Sequence, residues 1–431
     1  MPQSRPQRPN VALVAPLHVR SAAWRIAWNW AHGRARHSMA EENDDPQFDL
    51  FGESDAGPPQ PAPPRAPHPR TSGRHPAAGD EAPGQRPRRA KAVLPATPSP
   101  EVLEAAQALP RQVHLGTSSW SFPGWEGIVY GQAYSDAKLA RDGLGAYGAH
   151  PLLRTVSIDR SFYAPLSVAD YLRYGQQVPD GFRFIVKAPA SVTDATLRAE
   201  RGVPIADNPC FLDAQLASRE FVTPCLEGLG AKAGALVFQF PPLPERILAD
   251  PAAFVDRLGA FFDALPPLPS FSADPAHACD PCYALEIRDA CLLTPRLIRM
   301  LRERGVRYCV GLHARMPEPL RQAAALALLD GDAPRGPLIV RWSLHGGFKY
   351  EQAKAKYEPF DQLVDEDPAT RAALAELAAR YAIAGQPVLI VTNNKAEGSA
   401  PLSCVALARE IAAACARLRE EAQPSEGAAA A

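Results

Sequence analysis

Leu338-Ile-Val-Arg-Trp342 is a short apolar run that ends in Ser343-Leu-His345. Asp367-Pro368 then opens an Ala-rich stretch whose Leu374 and Leu377 repeat at helical spacing, and Gly385 stops it. A second apolar run, Val388-Leu-Ile-Val-Thr392, follows and ends in Asn393-Asn394. Short apolar runs alternating with helical stretches point to parallel strands buried on both faces. Outward from this unit the pattern recurs, giving eight strand candidates at 114–118, 154–159, 183–187, 235–240, 283–288, 307–312, 338–342 and 388–392. Eight such units predict an α/β fold, a TIM-type (β/α)8 barrel. Helix starts agree with it: Ser167, Asp250-Pro251 and Thr294-Pro295 offer N-caps, the last two with proline at the first helical position. The final helix, from Pro401, places Cys404, Leu407, Ile411 and Cys415 on one buried stripe.

The 431 residues divide into a Pro-rich tail at 1–108 that carries an acidic segment, a barrel at 109–422 and a short C-terminus at 423–431. Both ends are expected to be disordered. A net charge of -1 and a pI near 6.8 exclude a global attraction to nucleic acid or anionic membrane. No run of 18 apolar residues exists to span a bilayer, and the chain reads as a cytoplasmic protein. Its eight cysteines are scattered as for free thiols. Cys279 and Cys282 form a CxxC beside Asp274, His277 and Asp280, but no second pair stands at zinc-ribbon spacing, which favours a plain loop.

Within the tail, residues 1–38 hold six arginines, three tryptophans and no acid, with an apolar stretch too short and broken for a secretory signal. A start at Met39, with the preceding residues a mis-assigned extension, is the plainer account. Seven acids fall between Met39 and Ala56, then 13 prolines between Gly57 and Pro100; such segments bury too little apolar surface to offset their ordering entropy. One apolar island interrupts them, Gln47-Phe-Asp-Leu-Phe51. It resembles the pentapeptide by which bacterial proteins dock on the DNA polymerase sliding clamp, where Leu50 and Phe51 would enter an apolar groove and Gln47 would bond at the rim.

Barrel active sites lie at the C-terminal strand ends. Those ends carry Trp120, Asp159 with Tyr163 beyond it, Lys187, Gln239, Glu286 with Arg288, His313, Arg341 with His345, and Asn393 with Asn394. Glu286 and Arg288 share a side of their strand, so an inward pair would keep the carboxylate ionised and offer donors to an anion; a structural ion pair fits as well. Arg341 and Ser343 likewise share parity, and Gly346-Gly347 after His345 allows close backbone approach to a ligand. The leading expectation is an enzyme, a hydrolase or lyase, with Glu286, His345 and Asp159 as catalytic groups. Lys187, Gln239, Arg288, His313, Arg341, Asn393, Asn394, Trp120 and Tyr163 would then bind a small anionic substrate. The alternative is a nucleic-acid-associated binding protein recruited through Gln47, Leu50 and Phe51, with lysines 349, 354 and 356 as a basic patch. Asp159, Glu286, His313 and His345 could in principle ligate a metal, but no HxH or HExxH supports it and no metal is assigned. Neither P-loop, GxGxxG nor GxSxG appears, so the cofactor is unknown. The 188–234 connection is long enough for a lid or for a structural extension.

Several motifs stand in a fixed order: Leu115-Gly-Thr-Ser-Ser-Trp120 with Trp125, Ser161-Phe-Tyr163, Val178-Pro-Asp-Gly-Phe-Arg-Phe-Ile-Val-Lys187, Phe238-Gln-Phe-Pro241, Glu286-Ile-Arg288, Leu344-His-Gly346 and Asn393-Asn394. In these the chain resembles the YecE-like family, a domain of unknown function with a TIM-type barrel, from about 114 to about 418. The resemblance implies the fold and no settled activity. Two departures stand out: Ser157-Ile-Asp159 replaces the usual Glu-Ile-Asn, and Asp289-Ala-Cys291 stands where the family tends to show His and Trp. A mechanism requiring those family groups would not carry over unchanged.

Overall fold

The computed structural model describes residues 92–199, 203–271, 279–313, 316–317, 319–345, 348 and 350–422. The expectations for Gln47, Leu50 and Phe51, for the possible start at Met39, and for Gly346-Gly347, Lys349 and 423–431 lie outside them. Eight parallel strands close into a ring: β1 (Val113–Thr117), β2 (Leu153–Ile158), β3 (Arg183–Lys187), β6 (Ala233–Gln239), β7 (Cys282–Glu286), β8 (Arg307–Leu312), β9 (Leu338–Trp342) and β10 (Val388–Thr392). β1 pairs with β10 and β2, which completes the barrel. A Cβ at Gly116 would stand 1.7 Å from the Thr155 carbonyl oxygen, so a side chain there would hold β1 off β2. All eight strands expected from the sequence are present, each within two residues of its expected ends.

The helices form for the reasons the sequence offered. Ser167 and Asp170 make a reciprocal capping box on Val168–Gln177, while Asp250, Thr294 and Asp367 each accept a backbone N–H ahead of a helix that opens with proline. Each such cap is worth about 0.5–2 kcal/mol. The stripe of Cys404, Leu407, Ile411 and Cys415 is buried on the last helix, Ala400–Ala422. Phe238 on β6 meets Phe221, Phe261, Phe262 and Tyr283 in the layer between ring and helices. All eight cysteines are free thiols, and no described helix is long and apolar enough to cross a membrane.

The boundary at 109 needs correction. Val93 is buried, Pro95 bridges to Tyr130, and Pro100–Ala108 is a helix capped by Ser99 and packed on Ala400–Ala422. Proline-rich composition hid this segment, yet Pro100 sits in the first turn of the helix, where a missing N–H costs nothing, and Ala105, Ala106 and Leu109 supply an apolar face. Order therefore begins no later than residue 92. The connection after β3 holds a helix at Ala190–Thr193, an antiparallel hairpin of β4 (Thr196–Arg198) and β5 (Pro204–Asp207), and helical turns between Ala214 and Leu229.

Candidate functional site

Every ring strand is buried along its length, apart from the partly exposed Arg154 and Arg183 near strand starts, so hydrophobicity does not separate inward from outward residues. Packing does. Ile185, Ala235, Val237, Cys282, Ala284, Cys309, Ile339, Leu389 and Val391 form an apolar cluster of their own inside the ring. Two residues on from Ile185, Val237, Ala284, Ile339 and Val391, the same side carries Lys187, Gln239, Glu286, Arg341 and Asn393, with Gly311 at that position on β8. The interior thus changes from apolar to charged at the C-terminal strand ends, where parallel topology gathers the loops.

Arg341 organises this layer. Its Nη1 donates to Glu286 Oε2 at 2.9 Å and to Gln239 Oε1 at 3.1 Å, and its Nη2 donates to Asp159 Oδ2 at 2.8 Å. The reach from β9 to Glu286 on β7 crosses the intervening β8, whose Gly311 is the register partner of Arg341. Gln239 and Glu286 are register partners. Arg288 adds a second cation, with Nη2 2.9 Å from Glu286 Oε1. Ser157 donates to Asp159 Oδ1 at 2.6 Å, so the serine that departs from the family pattern orients the acid two residues on.

Electrostatics follow from burial and neighbours. Burial opposes the charge on Glu286, but Arg341 and Arg288 outweigh it and hold its carboxyl below the usual range. Glu286 is therefore an ionised anchor, better suited to positioning guanidinium groups than to donating a proton. Burial pushes the Lys187 amine well below an ordinary lysine, against the pull of Asp159 and with the help of Arg341. Its Nζ lies 3.6 Å from the centroid of the Phe162 ring, whose face favours the ammonium form. Loss of water from a wholly buried group is the larger effect, because the two carboxylates are already engaged by two guanidinium groups.

The other expected residues spread around the mouth. Asn393 donates to Ser118 Oγ at 2.9 Å and accepts from the Lys395 N–H, tying β10 to the loop after β1. Asn394 accepts from Trp125 Nε1 and the Ala400 N–H, a bracing role. Trp120 packs edge-on against Tyr174, Tyr163 is exposed beside Phe162, and His313 is half-buried at the end of β8. His345 lies against Phe348, bonds through its backbone to Lys395 and faces Asp365. Asp159, Lys187, Gln239, Glu286, Arg288 and Arg341 thus converge, whereas the described contacts of His345 belong to a neighbouring cluster.

Among the described residues no three His, Cys, Asp or Glu side chains gather as metal ligands, and the Asp159 and Glu286 carboxylates turn to Arg341. Sequence reasoning missed Ser157 and Lys395. Burial pushes the Lys395 amine down to about 8, with Lys354 contributing, yet nothing in Asn-Asn-Lys after a strand distinguishes it from a surface loop.

A profile of the family described as "Protein of unknown function DUF72" matches residues 114–428. Among solved structures, a DUF72 family protein from Thermotoga maritima is 17% identical, covering 69% of this chain and 98% of that one with a TM-score of 0.44. One from Enterococcus faecalis is 16% identical, covering 69% and 95%, with a TM-score of 0.43. No curated protein is significantly similar to the chain. With the profile spanning the whole ring and its last helix, the chain belongs to the DUF72 family, the YecE-like family that its motifs resemble.

Proposed function

We propose that the barrel mouth is the active site of an enzyme that binds a small molecule bearing a carboxylate or phosphate. The observation that supports it is the charge composition of the buried layer. Two guanidinium groups, Arg288 and Arg341, balance the carboxylates of Glu286 and Asp159, so a protonated Lys187 gives the layer one net positive charge. An incoming anion would neutralise that charge in a poorly screened interior. Arg341 serves here as a positioning residue, since three protein groups take its donors, while Arg288 and Lys187 face the ligand. Asp159 is the acid suited to proton exchange, because its side chain is 19% exposed and that of Glu286 only 1%. His345 and His313 would act at the rim.

Isothermal titration with sulfate and with lactate tests this reading. Wild-type protein should bind at least one of them, and Arg288→Met, confirmed folded by circular dichroism, should lose that binding. Absence of heat with both anions, or equal binding by the variant, contradicts it. The sliding-clamp contact through Gln47, Leu50 and Phe51 is a separate proposal resting on the peptide alone. Fluorescence anisotropy of a 42–55 peptide against purified clamp tests it, and no binding at high micromolar clamp removes it.

A further inference from the structure

The mouth contains an amine in a setting that ion binding alone does not require. A cation meant only to hold an anion works best as a permanently charged arginine, and two are already in place. Lys187 instead projects from the last position of β3 into the charged layer, with 1% of its surface exposed, Phe162 across its Nζ and the Asp159 and Glu286 carboxylates within electrostatic range. Ser161 fixes the strand end by donating to the Lys187 carbonyl at 2.6 Å. We infer that Lys187 is a nucleophile that forms an imine with the carbonyl carbon of a small anionic aldehyde or ketone, a 2-oxo acid or a phosphorylated carbonyl compound. This rests on the anion-binding reading of the same mouth and names its substrate class.

The step balances without a co-reactant. The Nζ lone pair attacks the carbonyl carbon, the N–C bond forms, and the C=O π pair moves to oxygen, which gains a proton as nitrogen loses one. The hydroxyl then takes a second proton and leaves as water while C=N forms; retention of one proton on nitrogen gives the iminium. Asp159, the acid open to solvent, relays these protons. The anionic group of the substrate balances the iminium charge, which the layer would otherwise carry in full. Burial favours the reactive form, since an ordinary lysine is a neutral amine in only about one molecule in two thousand at pH 7.

Reductive trapping on the full chain tests the proposal. The protein is incubated at pH 7 with sodium cyanoborohydride and pyruvate, dihydroxyacetone phosphate or glycolaldehyde, and modified lysines are located by peptide mass spectrometry. Lys187 should be labelled by pyruvate or dihydroxyacetone phosphate at least about tenfold faster than the exposed Lys356, since its neutral fraction is larger. The winning arm identifies the anionic group. Its labelling should level off at a lower pH than that of Lys356, a profile read on wild-type protein and so independent of how Lys187→Met folds. If Lys187 stays unlabelled while Lys356 reacts, the imine is overturned; sulfate or lactate binding by the same sample would leave the anion site standing. Labelling by glycolaldehyde as fast as by the charged probes would support the nucleophile and contradict the anionic substrate.

Discussion

Two arginines lie buried at opposite ends of the same barrel, and their partners differ in kind. Arg307 opens β8 at the N-terminal face, where its Nε donates to the Pro337 carbonyl and its Nη1 to the Arg335 carbonyl and to Asp330. Tyr381 donates to the other Asp330 oxygen. Backbone carbonyls neither titrate nor move without the fold, so this cluster clamps the loop before β9. Among the described residues, the groups that take the donors of Arg341 near the other end are side chains, two of them acids, beside a buried amine. The contrast separates an ion pair that completes a structure from one that keeps charge ready for a ligand.

Three changes break or sharpen that contrast. The largest effect is expected for Asp330→Ala, which strands Arg307 as an uncompensated buried charge. Denaturant unfolding should show a loss of about 3–5 kcal/mol, while anion binding per folded molecule is unchanged. A loss near zero, or loss of binding in protein that remains folded, would erase the distinction.

Lys187→Met should do the opposite and stabilise the protein at neutral pH. Folded Lys187 holds its proton less tightly than the unfolded chain does, so unfolding takes up a proton and wild-type stability rises with pH toward the ordinary lysine value. The advantage of the methionine variant should therefore shrink on going to alkaline pH, by at most about 1.4 kcal/mol per unit until about pH 10.4. Thermal unfolding across that range checks the sign, and an advantage that grows with pH refutes the depressed amine. The smallest effect is expected from Tyr381→Phe, which removes one donor to Asp330 and should cost about 1 kcal/mol with no change at the mouth.

Much of this is legible in the sequence. A polar residue closing an apolar strand is an exception that a parallel barrel tolerates at its mouth, and that rule picked out Asp159, Lys187, Gln239, Glu286 and Arg341. Which way each pointed was not legible, because strands buried on both faces show no alternation. The partner of Glu286 is only half legible: Arg288, two residues away, can be paired by parity, but Arg341, 55 residues along the chain from Glu286, reaches it across β8 through a register that only the closed ring creates. His345 shares the C-terminal face by chain position, yet its described neighbours Phe348, Lys395 and Asp365 are brought together only by the fold. The ordered residues from 92 to 108 were masked by their prolines.

The charged layer at the strand ends is an anion site in which an arriving anion raises the protonated share of the depressed Lys187 amine, while the remaining neutral share is the nucleophile. Titrating lactate into the wild-type protein at pH 7.5, in buffers of different ionisation enthalpy, measures that proton directly. Net proton uptake on lactate binding is expected, abolished in Lys187→Met. Binding with no proton uptake, or uptake that persists in the variant, would contradict it.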